Sequence, residues 1–164
     1  MAVDRCAQFA SMAEYNRWAN NRILAVSAEL TDEQFDLPAG ASYGSLHGTL
    51  DHILDAELSW LRRWRHEPGG LSGQQFGRHQ LSSALAQADQ AFVDFVSEKS
   101  DDDWDGMIEY RSTKGSGFRR SLGVTLTQVL YHGTYHRGEA AMMLSMMGNS
   151  PGDLDYIYFV RDGV

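Results

Sequence analysis

The chain has 164 residues, a formal charge of −8 with a pI near 5.1, and a single cysteine. That length suits one domain with a core of useful size, and the acidic balance disfavours a nucleic-acid backbone or an anionic membrane as partner, since both demand clustered Lys and Arg. Cys6 cannot form an intramolecular disulfide, no uncharged apolar run reaches about 18 residues, and the first residues lack a secretion-signal pattern; a soluble cytoplasmic protein is expected, with Cys6 as a small packing residue.

Residues 5–30 repeat apolar groups at helical spacing through Phe9, Met12, Ala19, Ile23, Val26 and Leu30, which predicts a first long helix burying one stripe. Asn16 interrupts that stripe, either as a core amide bonded locally or as a group facing a site in the bundle centre. Thr31-Asp32-Glu33-Gln34 has a capping-box pattern and opens a short turn or helix before Leu37-Pro38-Ala39-Gly40 breaks the chain.

Ser45 is the N-cap of a second long helix reaching about Glu67, where Pro68-Gly69-Gly70 stops it. Leu46, Leu50, Ile53, Leu54, Leu58, Trp60, Leu61 and Trp64 share one broad arc of this helix. His47 lies at the edge of the arc and His52 nearly opposite its centre, and wheel geometry does not choose between them. Gly69 to Arg78 reads as a loop. A third helix carries Leu81, Leu85, Ala88, Phe92 and Phe95 and ends between Ser97 and Asp103, with Asp101-Asp102-Asp103 as a solvated turn rather than a cation cage.

Between Met107 and Leu122, β-formers flank the turn-prone Lys114-Gly115-Ser116-Gly117, which predicts a two-stranded hairpin. This hairpin and the loop before the third helix are expected to border a site or to cap one bundle end, because insertions between bundle helices have no other place to go. Thr125 and Gln128 form a capping box at the start of the last long helix, whose buried arc holds Leu126, Val129, Leu130, Ala140, Met143, Leu144 and Met147. Gly148-Asn149-Ser150-Pro151-Gly152 ends it, and Leu154 to Val160 is a tail that packs back. Four apolar helices of this length make an all-α four-helix bundle, with the short β-hairpin inserted before the last long helix.

In the last helix His132 and His136 are four apart, so their rings project from one face a turn apart and can hold one metal ion between them. The spacing is shared with the zinc metalloproteases, but those require a Glu directly after the first His as general base, and here Gly133 stands there. Two charges also break the apolar arcs. Glu57 lies beside Leu50, Ile53 and Leu61, and Arg137 beside Leu126, Leu130 and Leu144. Burying either alone costs several kcal/mol, so the two are expected to meet across the bundle or to find equivalent partners, as support for the histidine helix or as a fold-specifying pair.

Three stretches, taken in order and spacing, resemble the DinB-like family of four-helix-bundle metal proteins: Tyr15-Asn16-Arg17-Trp18-Ala19-Asn20; Ser45-Leu46-His47-Gly48-Thr49-Leu50-Asp51-His52-Ile53-Leu54 with Glu57 and Trp60; and His132-Gly133-Thr134-Tyr135-His136-Arg137-Gly138-Glu139. The resemblance covers nearly the whole chain and implies a single domain over residues 1–164. It implies that His52, His132 and His136 bind one divalent transition metal, zinc or nickel, and it sets His47 aside. The residue after Arg-Gly is usually Gln in such sequences, and here it is Glu139, a candidate hydrogen-bond partner for His136. Several branches of the family resemble thiol transferases or thiol-dependent isomerases, in which the metal activates a low-molecular-weight thiol as its thiolate. That implies a metal-dependent enzyme acting on a small molecule. The alternatives are a hydrolase using metal-bound water and a non-catalytic, stress-associated metal-binding protein. A homodimer is a further expectation from the family.

Overall fold

Four long helices form where apolar groups recur at helical spacing. In the computed structural model, which describes residues 4–67, 76–112 and 115–161, they are α1 (Arg5–Ser27), α3 (Leu46–Trp64), α4 (Arg78–Ser97) and α5 (Leu122–Met146). Two short helices, α2 (Asp32–Phe35) and α6 (Tyr156–Arg161), a single 3-10 turn over Asp101–Asp105 where a solvated turn is expected, and the antiparallel strands β1 (Met107–Arg111) and β2 (Gly117–Ser121) complete the described fold. This is the expected four-helix bundle with a hairpin before the last long helix.

Local chemistry explains most boundaries. Ser45 caps α3 by accepting the Gly48 N–H, and Thr31 and Gln34 form the expected capping box on α2. The last long helix departs from expectation. It begins at Leu122, capped by Ser121, and Thr125 instead accepts the Trp64 indole N–H at 2.9 Å while donating to the Leu122 carbonyl. A threonine hydroxyl that satisfies a buried indole is worth more inside the bundle than at its end. The break expected at Pro68-Gly69-Gly70 and most of the loop from Gly69 to Arg78 lie outside the described residues; α3 itself ends at Trp64.

In the bundle α1 and α3 each lie beside both α4 and α5. α1 runs antiparallel to α4, since the Cys6 thiol donates to the Lys99 carbonyl at one end and Arg78 donates to the Ser27 carbonyl at the other. α3 and α5 are also antiparallel, as the Trp64–Thr125 bond requires. The interior has two apolar clusters. One gathers Ile23, Leu50, Leu54, Leu81, Leu85 and Leu144; the other gathers Trp64, Phe92, Phe95, Trp104, Leu126 and Leu130. Fully burying such side chains contributes roughly 1.5–3 kcal/mol each. The tail packs back as expected, with Phe159 buried and its ring facing Tyr15 and Trp18 of α1.

The two clusters are separated by a polar layer to which every long helix contributes: Asn16 and Asn20, Glu57, Asp89 and Arg137, each at most 3% exposed. The stripe of α1 is correspondingly less apolar than its sequence pattern suggests, since its buried residues are Ala13, Asn16, Ala19, Asn20, Ile23 and Ser27. Phe9, Met12 and Val26 are only packed against the clusters.

Candidate metal centre

The register of α3 that buries Leu50, Ile53 and Leu54 leaves His52 on the flank facing α5. On α5, His132 and His136 occupy the matching flank one turn apart. The three imidazoles converge: ring centroids are 4.5–4.8 Å apart, and one nitrogen from each lies within 4.8 Å of the others. His136 is buried, while His52 and His132 are half-buried. The Nε2 atoms of His52 and His132 are 3.0 Å apart. Two imidazole nitrogens on one ion, each bound at about 2.0–2.1 Å, lie roughly 2.9–3.4 Å apart for ordinary ligand angles, so the spacing fits a shared metal. Among the described residues no fourth His, Cys, Asp or Glu atom joins this group.

Protonation suits the same role. Burial, then the neighbouring imidazoles, push His52 down to about 4; burial, then His136, lower His132. Both rings are therefore neutral at physiological pH, with lone pairs free for a metal. His136 is oriented by Glu139, whose Oε2 lies 2.7 Å from Nδ1, an arrangement that fixes the proton on Nδ1 and leaves Nε2 for the ion. Burial works to raise the Glu139 carboxyl, but hydrogen bonds from Ser42 and from His136 outweigh it and hold the group below its usual range. Above the site, the Tyr43 ring stacks on His52 at 3.7 Å between centroids, nearly parallel, and meets His136 edge-on at 5.3 Å.

His47 points elsewhere. Its Nδ1 lies 2.7 Å from an Asp36 oxygen and its Nε2 2.7 Å from the Phe76 carbonyl. Burial acts against its charge, but the Asp36 carboxylate and the Phe76 carbonyl win and raise its pKa. An imidazole with acceptors on both nitrogens is a cationic clip between α2, α3 and the start of α4, not a metal ligand.

Beneath the histidines lies the polar layer. The Arg137 guanidinium donates to Asn16 Oδ1 at 2.6 Å, to Asn20 Oδ1 at 3.1 Å and to Thr134 Oγ1 at 3.1 Å. The amide nitrogens of both asparagines then donate to Glu57 Oε1, at 2.7 and 3.2 Å, and to Asp89 Oδ1, at 3.1 and 2.8 Å. Glu57 and Arg137 are thus both buried and joined through two amides rather than by a direct ion pair. Asn16 is the group facing the bundle centre. Gly133 makes the arrangement possible, because a Cβ there would lie 2.9 Å from an Arg137 nitrogen and 3.1 Å from Asn16 Oδ1. Asp89 and Asn20 are not singled out by the apolar pattern, yet each sits in register with its helix's buried stripe, three or four residues from Leu85, Phe92 or Ile23.

The hairpin caps one bundle end. Ile108 joins the cluster of Trp64 and Trp104, and Tyr110 packs edge-on against Trp60, about two turns of α3 beyond His52. The border of the metal centre is formed instead by Ser42 and Tyr43, between α2 and α3.

A four-helix bundle whose facing helices bring three imidazoles to one point belongs to the class of helical proteins able to hold a metal ion in the bundle. The chain is a member of the DinB family, whose model matches residues 4–162. It is 24% identical over 165 residues to "Protein DinB" of Bacillus subtilis (strain 168), covering 87% of this chain and 88% of that one. Its fold is also that of the crystal structure of a DinB-like protein from Bacillus cereus ATCC 10987, with a TM-score of 0.69, 19% identity, and 88% of this chain and 94% of that one covered. Among the described residues no helix is long and apolar enough to cross a membrane.

Proposed function

We propose that the chain is a metal-dependent, thiol transferase-like enzyme acting on small molecules, in which His52, His132 and His136 hold one divalent ion, zinc or nickel. The observation that carries this reading is the convergence of three imidazoles with no fourth protein ligand among the described residues. A closed structural site takes four protein ligands and often cysteine, whereas three neutral imidazoles leave the ion its full charge and an open position. An ion held this way would bind a low-molecular-weight thiol and favour its thiolate form at neutral pH. The chain's own residues supply the rest. Glu139 fixes the His136 tautomer, Arg137 with Glu57 and Asn16 holds α5 in register, and Tyr43 shields the ligands from bulk water. The free Cys6 agrees with a cytoplasmic setting, and the net charge of −8 with a small-molecule substrate rather than nucleic acid.

The test is metal analysis of the natively loaded protein, X-ray absorption at the ion with and without added thiol, and then a screen of thiols against electrophiles. Expected are one ion per chain, three imidazole ligands, a sulfur neighbour that appears on thiol addition, and turnover. A fourth protein ligand with no turnover would instead support a non-catalytic ion stapling α3 to α5. Turnover of esters or amides without a thiol would support the hydrolase.

We infer also that two copies pair through α5. Its outward face carries Val124, Gln128, Tyr131, Tyr135, Gly138 and Met142 at alternating steps of four and three, the spacing of a helix-pairing seam. The four large apolar residues among them are more than half exposed. Gly138 supports the reading, because a glycine costs a helix about 0.8–1 kcal/mol and nothing in this chain would meet a Cβ there, while a second helix approaching closely would. Sedimentation of the wild type and of Tyr135→Glu tests it: a dimer dissociated by the substitution is expected, and a monomeric wild type refutes it.

A further inference from the structure

The segment between α2 and α3 is built as a closed strap. The Ala39 N–H donates to the Gly44 carbonyl at 2.8 Å, and the Gly44 N–H donates to the Ala41 carbonyl at 3.0 Å. Gly40 and Gly44 have φ of 61° and 83°, the left-handed region open to glycine at little cost. Ala41, Ser42 and Tyr43 are thereby held between two glycines whose left-handed backbone other residues adopt only at a cost. The strap lies directly on α3. A Cβ on Gly48 would come within 2.2 Å of the Tyr43 carbonyl oxygen, so only a glycine lets the strap approach the helix closely enough to lay the Tyr43 ring over His52.

One carboxylate fastens this strap and orients a histidine of the site. Glu139 Oε1 accepts the Ser42 hydroxyl at 2.5 Å and the Ser42 N–H at 3.3 Å, and Glu139 Oε2 pairs with His136 Nδ1 at 2.7 Å. We propose that Tyr43, carried by this strap and clasped to α5 by Ser42 and Glu139, is the positioning residue that walls the open side of the metal centre, and that strap closure and metal occupancy stabilise each other through Glu139. The inference rests on the three-histidine reading above. The Glu139–His136 contact already holds Glu139 where its other oxygen receives Ser42, and an ion drawing on His136 Nε2 would strengthen that contact by polarising the ring. Conversely, a closed strap holds Glu139 against His136 and lays an aromatic face over His52. Coupling of this kind is reciprocal: whatever the strap adds to metal retention, the metal adds to strap closure.

The test uses zinc or nickel alone with the full chain. Hydrogen exchange at the Ser42 and Tyr43 amides is followed with and without metal, and metal release to a competing chelator is timed for the wild type, Ser42→Ala, Tyr43→Ala and Tyr43→Phe. Thermal melts of the metal-free variants show that each has folded. Loading with metal is expected to slow exchange at Ser42 about tenfold or more. Ser42→Ala and Tyr43→Ala release metal about tenfold faster than the wild type, the loss of one hydrogen bond to a charged group or of one ring contact beside the ligands. Tyr43→Phe, which keeps the ring, releases it at the wild-type rate. Unchanged release from Ser42→Ala and Tyr43→Ala, or strap exchange indifferent to metal, overturns the proposal while leaving the three-histidine site standing. A wild-type protein that takes up neither ion overturns both.

Discussion

Replacing Asp89 by Asn tests whether the buried polar layer stores a proton. Asp89 Oδ1 accepts from both asparagine amides, but its Oδ2 and Glu57 Oε2 have no hydrogen-bond partner among the described residues. Arg137 is the cation bonded into this layer, facing two carboxyls, with Asn16 and Asn20 from α1 contributing no charge. Burial, and then the adjacent Glu57, push the Asp89 carboxyl well above its usual range; burial raises Glu57 as well. The neutral arrangement is one carboxylate, one carboxylic acid and one guanidinium.

The consequence for stability follows from proton linkage. In the unfolded chain Asp89 releases its proton near pH 3.9, while in the folded chain it keeps it to higher pH. Above that point the folded state therefore binds more protons than the unfolded state, and stability falls as pH rises until the raised folded pKa is passed. Where the folded group keeps its proton and the unfolded one has lost it, the loss approaches about 1.4 kcal/mol per pH unit. Asparagine keeps a carbonyl oxygen for the two amides, offers an N–H where the acid carries its proton, and does not titrate. Urea unfolding of metal-free wild type and Asp89→Asn between about pH 5 and about pH 8 reads the difference, and histidine titrations common to both proteins cancel. The gap is expected to move in favour of Asp89→Asn as pH rises. Parallel curves would show that the folded layer holds Asp89 ionised and would refute the argument.

Arg137→Met and Glu57→Gln each break a buried charged network and are expected to destabilise by roughly 3–5 kcal/mol in denaturant titrations. For Arg137→Met this corresponds to a fall in Tm of about 6–20 °C. His52→Ala, His132→Ala and His136→Ala are expected to lose metal in elemental analysis, while His47→Ala, His66→Ala and His79→Ala retain it. Removing His47 is instead expected to cost about 0.5–1.5 kcal/mol of stability, the net worth of its hydrogen bond to the Phe76 carbonyl, because the exposed Asp36 carboxylate is solvated by water. Gly133→Ala forces a methyl group into the Arg137 guanidinium and Asn16, and is expected to cost about 1–3 kcal/mol by the same titration.

What the sequence made legible follows from periodicity. Apolar stripes announce long helices wherever the buried face is hydrophobic, so α3, α4 and α5 were readable, and charges inside a stripe, Glu57 and Arg137, pointed correctly to a buried network. The same logic announces α1 as well but overstates how apolar its inner face is, since that face is small and polar and supplies amides rather than apolar surface. Asp89 carries no apolar signal, yet its register with Leu85 and Phe92 places it inside. Wheel geometry alone does not choose between His47 and His52, because a wheel shows which face a residue takes and not which neighbour fills it; the family resemblance chooses His52, the histidine that converges with His132 and His136. The strap was illegible for a deeper reason. Ser42 and Tyr43 have no period, and their position depends on a contact with Glu139 almost a hundred residues away.

The segment from His132 to Glu139 shows how so few residues can serve the site, the core and the surface at once. Each step along a helix turns about 100°. His132, His136 and Glu139 therefore share the flank toward α3 and the strap, Gly133 and Arg137 turn toward the polar layer, and Tyr131, Tyr135 and Gly138 face outward. Because Arg137 directly follows His136, the network that fixes the guanidinium against Asn16 and Asn20 also fixes the rotation of α5 about its axis, and with it the direction in which both histidines point. On the function proposed above, the buried layer would thus act as a mechanical reference for the three histidines. Perturbing it at Asp89, far from α5 in sequence, should change stability with pH while leaving the histidines in register. Removing Arg137 takes away the reference itself, so metal affinity falls together with stability.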